Sequence, residues 1–587
     1  MATDFSSVGA MMLPQEAQYD FLADLSTDKD IAAAINDAMR LIEKEYPDLE
    51  GILPKNYQDF ERDLLASLVR VFNKDAVKKA TGDVFGRIYE YFLMKFSMQG
   101  AGAQEGGEFF TPPSLVQLLV SFIEPDHGII HDPACGSGGM FVQTGRFVRN
   151  QVKKDTVGTI NCYGTELKTN NYKLAKMNLA IHGIEGKISE NNSFYTDPHG
   201  LVGQCDFVLA NPPFNVNKID KDKQYVKNDP RLPFGVPKSD NGNYMWIQYF
   251  HSYLNEKGRA GFVMASSATD AGHTEAVIRQ RLIESKHVDC IVSVSNNFFY
   301  TRSLPCHLWF FDKGKSVDNA DKILMIDARN VYRVVSTTIN DFSAGQSLNL
   351  TTIMRLYRGV VGAFADAEAQ HRAMLNDNLQ KIYAAYQILV AELEDIETAL
   401  SLKFDFEPLK SLEKPSDTEG VQSVFDTLFL PVAAAETTVK MYQDNIETVK
   451  KQVENTEIPE KEGKATIQAY KKNVLSINRP LKKYAEATDA YAKDTKQGIA
   501  DWQQLKTWFP LGTYQDTEGV CKIVSIEEVK QNDYSLTPGR YVGVSTTTDK
   551  DFDYKKRLRT IGQELTALNQ TAAILSQQIT ESIREMI

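Results

Sequence analysis

The 587-residue chain is 42% hydrophobic and 24% charged; it has no run of about 18 apolar residues and no basic-then-apolar amino terminus, so neither a membrane span nor a secretory signal is expected. A net charge of −12 argues against a protein that grips duplex DNA unaided, because phosphate neutralisation calls for a basic surface. The six cysteines, Cys135, Cys162, Cys205, Cys290, Cys306 and Cys521, form no C-x-x-C pair or Cys/His cluster, which argues against a metal site and for free thiols in a reducing cytoplasm.

Such a length suits about three or four domains. Residues 1–80 carry helical patterns, such as Ile31-Ala32-Ala33-Ala34-Ile35 and Leu64-Leu65-Ala66-Ser67-Leu68-Val69, and predict a helical region without recognisable chemistry. Gly128-Ile129-Ile130-His131-Asp132 then reads as a strand ending in an acid. It is followed by Pro133-Ala134-Cys135-Gly136-Ser137-Gly138-Gly139, which opens a helix at Met140-Phe141-Val142. Strand, glycine turn and helix is the nucleotide-binding arrangement of doubly wound sheets, although the spacing is not the full G-x-G-x-x-G. Cys135 within it is most simply a small packing residue.

A second apolar run, Ile160 to Thr165, ends in Glu166, an acid suited to gripping two ribose hydroxyls, or simply a solvated strand end. Gly186-Lys187-Ile188-Ser189 leads to Asn192-Ser193-Phe194, where a polar side chain would meet an adenine edge and Phe194 its face; a plain polar turn reads equally well. The run Phe207-Val208-Leu209-Ala210 ends in Asn211-Pro212-Pro213-Phe214. Here the Asn side-chain oxygen and the next backbone carbonyl can accept hydrogen bonds from an NH2 group, the prolines fix the backbone that aims them, and Phe214 can stack on a flat ring. That set suits methylation of an exocyclic amino group, although Asn-Pro is also a common turn starter.

The next stretch mixes Lys218, Lys221, Lys223, Lys227, Arg231 and Lys238 with Asp220, Asp222, Asp229, Tyr225 and Phe234. It reads either as a solvated, mobile loop or as a segment that orders over a nucleic-acid strand when a base is flipped out. Apolar runs at Ala260–Ala265, Val288–Val294, Leu308–Phe311 and Ile323–Ile326 continue the sheet, with Phe298 and Phe299 in between.

Beyond about residue 355 long helices take over. Leu375, Leu379, Ile382, Tyr386, Leu389, Leu393, Ile396 and Leu400 form a heptad seam; Val439, Tyr442, Ile446, Val449 and Val453 repeat it, as do Leu558, Ile561, Leu565, Leu568, Ala572, Leu575 and Ile579. The polar stretch from Glu454 to Gly463 reads as an exposed turn between helices. Packing within one bundle is the default explanation for each seam. A helix near the end of the chain is also well placed to pair with a partner.

With glycine loop, ribose acid, adenine pocket and N-P-P-F in this order, the chain resembles the adenine-N6 DNA methyltransferases, and among them the modification subunits of type I restriction-modification systems. The resemblance spans roughly residues 81–330 and begins at Gly82-Asp83-Val84-Phe85-Gly86-Arg87-Ile88-Tyr89-Glu90-Tyr91-Phe92-Leu93. Glu108-Phe109-Phe110-Thr111-Pro112-Pro113 looks like the additional cofactor motif of the group whose cofactor region precedes its catalytic region. Met140 and Asn192 stand where relatives often carry Phe and Asp.

The resemblance implies an α/β fold with a doubly wound, mostly parallel methyltransferase sheet at 81–330. A helical region over 1–80 and a helical, coiled-coil region over 331–587 for partner docking would flank it. It implies S-adenosylmethionine as cofactor, held by Glu108, Phe109, Phe110, Thr111, Pro112, Pro113, Asp132, Pro133, Gly136, Ser137, Gly138, Gly139, Glu166, Leu167, Asn192, Ser193 and Asn211, and catalysis by Asn211, Pro212, Pro213 and Phe214. Adenine-specific methylation of DNA with a flipped base would follow. A separate specificity subunit, with two copies of this chain on it, would choose the sequence; a restriction subunit is an optional further partner and a membrane is not one. The alternatives are a protein-glutamine methyltransferase, which is far shorter and lacks the F-T-P segment, and a scaffold that has lost catalysis.

Overall fold

The computed structural model describes residues 11–25, 29–73, 111–151, 160–238, 241–299, 305–337 and 339–543. In chain order the strands are β1 (Gly128–Asp132), β2 (Ile160–Glu166), β3 (Gly186–Glu190), β4 (Cys205–Ala210), β5 (Leu254–Ala265), β6 (Val288–Val294), β7 (Cys306–Asp312), β8 (Lys322–Ala328), β9 (Arg333–Ser336), β10 (Ile339–Asp341) and β11 (Cys521–Ser525). Among the described residues nine of them form one sheet in the order β3-β2-β1-β4-β5-β7-β6-β8-β11, and β9 and β10 pair with each other. Pairing is parallel except where β7 runs against β5 and β6 and β11 runs against β8. The α/β, mostly parallel sheet is the architecture expected from the apolar runs.

Strand composition explains the burial. Every residue of β6 and β7 is buried, as central strands covered on both faces require, although β7 runs antiparallel to its neighbours. Adjacent residues part to opposite faces: Phe207 and Leu209 of β4 join one core, Val208 and Ala210 the other. The first core is closed by α3 (Pro113–Ile123), α4 (Gly139–Gln151), α5 (Thr169–Ile181) and α8 (Ala344–Tyr357), the second by α6 (Asn243–Tyr253) and α7 (His273–Glu284). Pro113 begins α3 at its first position, where a missing N–H costs nothing. The chain runs outward from β1 to β2 and β3, then returns to β4 on the other flank of β1. This is the switch point at which doubly wound sheets open a crevice beyond their carboxyl ends.

Three long helices follow, α9 (Ala363–Leu400), α10 (Thr418–Glu454) and α11 (Glu460–Trp508). The first seam faces inward: Leu375, Leu379, Ile382, Tyr386, Leu389 and Leu393 are buried against α10 and α11, and Val439 and Tyr442 of the second seam join the same core. Both seams therefore pack within the chain, and the polar stretch after Glu454 is the turn between α10 and α11. The third seam, Leu558 to Ile579, lies outside the described residues, as do Gly82–Leu93 and Glu108, Phe109 and Phe110.

The expected boundary at residue 330 does not bound the sheet layer. Leu350, Ile353, Met354 and Tyr357 of α8, Leu505 and Trp508 of α11, and Cys521 of β11 all belong to the first sheet core. The amino-terminal helices α1 (Ile31–Glu45) and α2 (Arg62–Phe72) share a small core of their own, with Ile31, Ile35, Ala38 and Leu65. Among the described residues no helix is long and apolar enough to cross a membrane.

Candidate active site

The loop after β1 is built by short-range hydrogen bonding. Asp132 accepts from Ala134 N at 2.9 Å, Cys135 N donates to Thr165 O at 3.1 Å, and Gly138 N donates back to Cys135 O at 2.8 Å. Gly136 and Gly138 take φ of 54° and 80°, the left-handed region that glycine enters without strain. A side chain at Gly138 would press on Leu179 at 3.1 Å, whereas Gly136 and Gly139 have nothing within 4 Å among the described residues. Among the described residues the loop is thus supported from α5 and open on the other side, with room for a ligand to approach the backbone.

Three side chains tie this loop to its neighbours. Glu166, at the end of β2, accepts from Gly136 N at 3.0 Å through Oε2 and from Lys168 N at 2.8 Å through Oε1. Asn178 donates to Ser137 O at 2.9 Å, and buried Ser193 donates to Pro133 O at 2.6 Å. Leu167, beside Glu166, is 60% exposed, an uncovered apolar surface at the mouth. Burial and the neighbouring Glu166 push the Asp132 carboxyl up to about 8. His131, whose Nδ1 lies 2.9 Å from Tyr163 O, is driven down to about 3 by burial, so its ring stays neutral. The Cys135 thiol is buried and pushed well above its usual range, as befits a packing residue.

Asn192 uses its side chain locally, accepting from Phe194 N at 3.0 Å to fix the turn after β3. Phe194 does not stand over the crevice. It is buried in the second core with its ring 4.5 Å from that of Trp246, because Gly242 leaves the space it fills.

Asn211 leaves β4 directly after fully buried Leu209 and Ala210, and its Nδ2 donates to Thr111 Oγ1 at 2.8 Å. Pro212 is buried and Phe214 half-buried. The Phe214 ring meets the buried Phe299 edge-on, centroids 6.2 Å apart at 88°, whereas Phe298 turns to Phe342 in the core. The turn after Phe214 is held by a reciprocal amide pair: Asn215 N donates to Asn243 Oδ1 and Asn243 Nδ2 donates to Asn215 Oδ1, both at 2.8 Å. Sequence reading missed Asn243; its only signal was an Asn at a helix start, which is common to many helices. A cavity of about 520 Å³ opens next to this pair, lined by Lys238, Asn241, Asn243, Ser267 and His273 among others.

The basic stretch after the motif divides into two kinds of residue. Lys218, Lys223, Lys227 and Lys238 are exposed. Arg231 is fully buried: it pairs with buried Asp229 at 2.7 Å, donates to Tyr253 Oη at 2.9 Å and Thr196 O at 3.2 Å, and lies 4.0 Å from the Tyr249 ring centre. Gln248 adds a clamp, accepting from Phe234 N and donating to Gly235 O, both at 3.0 Å. The segment is therefore anchored to α6, and Arg231 is a structural residue rather than a surface cation.

The crevice gathers the ends of β1, β2 and β4, with the turn after β3 bonded to Pro133 beneath them. A stretch of 347 residues is 38% identical to the type I restriction enzyme MjaIX methylase subunit of Methanocaldococcus jannaschii, covering 57% of this chain and 61% of that protein. A stretch of 329 residues is 32% identical to the HindI methylase subunit of Haemophilus influenzae, covering 54% of this chain and 72% of that protein. The chain therefore spans between about three fifths and three quarters of these two relatives' lengths. The fold is shared with the crystal structure of a type I restriction-modification methyltransferase subunit from Streptococcus thermophilus, at a TM-score of 0.50 and 21% identity, over 59% of this chain and 75% of that one. The N-6 DNA Methylase family model matches residues 80–388 and 436–550, taking in the sheet, α8 and β11 together. From crevice, relatives and family match, this chain belongs to the N-6 DNA methylase family.

Proposed function

We propose that the chain is the modification subunit of a type I restriction-modification enzyme and methylates N6 of adenine in DNA. The observation that carries this reading is the position of Asn211-Pro212-Pro213-Phe214 across the switch point from the glycine loop, so that an amino-group binder and a nucleotide binder share one crevice. S-adenosylmethionine, when bound, supplies an electrophilic methyl group. The residues present fit it: among the described residues Gly136 and Gly139 leave open space above the loop, Glu166 at the end of β2 suits the ribose, and Leu167 offers apolar surface. Thr111, Pro112, Pro113, Asp132, Pro133, Ser137, Gly138, Asn192 and Ser193 complete the surround.

In the proposed reaction the target adenine leaves the stack, since its N6 cannot be reached inside a duplex. Phe214 stacks on the ring. Asn211 Oδ1 and the Pro212 carbonyl accept hydrogen bonds from the two N6–H groups and draw the nitrogen lone pair out of conjugation; as the N–C bond forms the S–C bond breaks, and one N6 proton is then released to solvent. Rate enhancement then comes chiefly from holding nitrogen and methyl carbon in line. Net acidity and the burial of Arg231 support delegating most DNA contact and sequence choice to a specificity subunit, carried with two copies of this chain and, in the full system, a restriction subunit. Six buried free thiols suit a reducing cytoplasm.

The test is co-purification of the full chain with its partners, followed by mapping of methylated adenines in host DNA. Adenine methylation at one recurrent sequence, lost in Asn211→Ala, is the expected result. Methylation that survives Asn211→Ala overturns the assignment.

A further inference from the structure

Asn211 is a primary amide whose two ends are alike in size and opposite in hydrogen-bonding sense. For the reaction above its oxygen must face the adenine amino group; the nitrogen end would set donor against donor. Packing alone discriminates poorly between these orientations, which differ by a half-turn about the last side-chain bond. A fixed partner at one end would settle the choice.

Thr111 is such a partner. Its Oγ1 accepts from Asn211 Nδ2 at 2.8 Å across 100 residues of sequence. It immediately precedes Pro112 and Pro113, whose rings hold their own φ angles and restrict the residue before them. These prolines begin α3, where Leu115, Leu118 and Leu119 are fully buried on the sheet. On the other side Asn211 is rooted in the buried end of β4. Two rigid elements are therefore joined by this hydrogen bond.

We propose that Thr111 is the positioning residue for Asn211: its hydroxyl engages the amide nitrogen and so presents the amide oxygen to the methyl-accepting amino group. This role rests on the methyl-transfer reading and is distinct from the cofactor contact that the Phe-Thr-Pro resemblance implies for the same residue. A serine preserves the acceptor. Valine preserves the shape and removes it, taking away this bias on the amide's orientation. A typical net hydrogen bond corresponds to roughly a five- to tenfold bias, which sets the scale of the loss.

The experiment compares wild type, Thr111→Val and Thr111→Ser as full chains in the co-purified assembly. Single-turnover methylation of a duplex carrying the mapped site is measured at saturating S-adenosylmethionine, with cofactor affinity measured separately by calorimetry. The expected result is a rate at saturating cofactor roughly tenfold lower for T111V, a larger loss than any accompanying fall in cofactor affinity, and recovery of most of that rate in T111S. A T111V enzyme as fast as wild type overturns the role, as does a defect confined to cofactor affinity or a T111S enzyme as slow as T111V. A wild-type assembly that methylates no adenine removes the underlying reading and this role together, and so is told apart from failure of the role alone.

Discussion

Glu166 bridges two strand ends: its Oε2 accepts from Gly136 N of the loop after β1 at 3.0 Å, and its Oε1 from Lys168 N at 2.8 Å. A single carboxylate thus shapes the glycine loop and is also the group proposed to hold the ribose. Glu166→Ala should weaken S-adenosylmethionine binding by roughly ten- to a hundredfold, the scale of a lost charge-assisted hydrogen bond. Calorimetric titration of the full chain checks this. Unchanged affinity would leave Glu166 a loop brace only.

Glu166 also acts electrostatically on Asp132, and Asp132 carries a pH signature. The Asp132 carboxyl is raised from its ordinary 3.8 to about 8, by burial first and by Glu166 in addition. The folded state therefore keeps a proton that the unfolded chain releases. The stability this contributes is full below the unfolded value near 3.8, declines as pH rises, and is gone above about 8. Asp132→Asn cannot release that proton, so urea unfolding of variant against wild type should show the variant gaining relative stability from pH 5 to pH 8. Parallel pH curves for the two proteins would contradict the assignment. Buried His131 and His251, both lowered to about 3, act in the opposite sense in both proteins and cancel in the comparison.

Phe214 and Phe299 touch edge-on yet should fail differently. Phe214 is half-buried at the crevice, and removing a ring that stacks on a base costs about 1–3 kcal/mol. Phe214→Ala should therefore slow methylation by roughly five- to a hundredfold with a small change in melting temperature. Phe299 is 1% exposed, so Phe299→Ala should lower stability by about 3–5 kcal/mol. Thermal melts read beside single-turnover rates separate the two; a Phe214→Ala protein at full rate would remove the stacking role.

Much of this was readable in the sequence because the relevant signals are contiguous. Parallel strands covered on both faces are apolar runs, and the glycine loop and N-P-P-F each fit within a few residues of a strand end. What escaped depends on pairs that only folding brings together. Asn215 and Asn243 lie on either side of a loop, and nothing local marks them as partners. Arg231 reads as one more cation among lysines until its burial against Asp229 and Tyr249 is seen. β11 is a short run, Cys521-Lys522-Ile523-Val524-Ser525, that becomes a strand by pairing with β8. Phe194 was misplaced because a ring after a polar turn fits a ligand pocket or a core equally well until Gly242 shows which one has room.

The Arg231–Asp229 pair yields the last prediction, because its burial reverses the meaning of a cation near the crevice. A surface arginine on DNA would, on removal, lower the salt dependence of DNA binding and leave stability alone. A fully buried one leaves Asp229 as an uncompensated charge, at a cost of about 3–5 kcal/mol. Arg231→Ala should accordingly lower the unfolding midpoint sharply. Lysine should restore only part of the loss, since it cannot reproduce the fork that meets both Asp229 oxygens and also reaches Tyr253 Oη and Thr196 O. Lys218→Ala combined with Lys238→Ala, at exposed positions, should change stability little and flatten the salt dependence of DNA binding by the assembly. Denaturant midpoints and a salt titration of DNA affinity, measured on the same preparations, decide between the roles. An Arg231→Ala protein of wild-type stability with a flattened salt slope would place Arg231 on the nucleic acid after all.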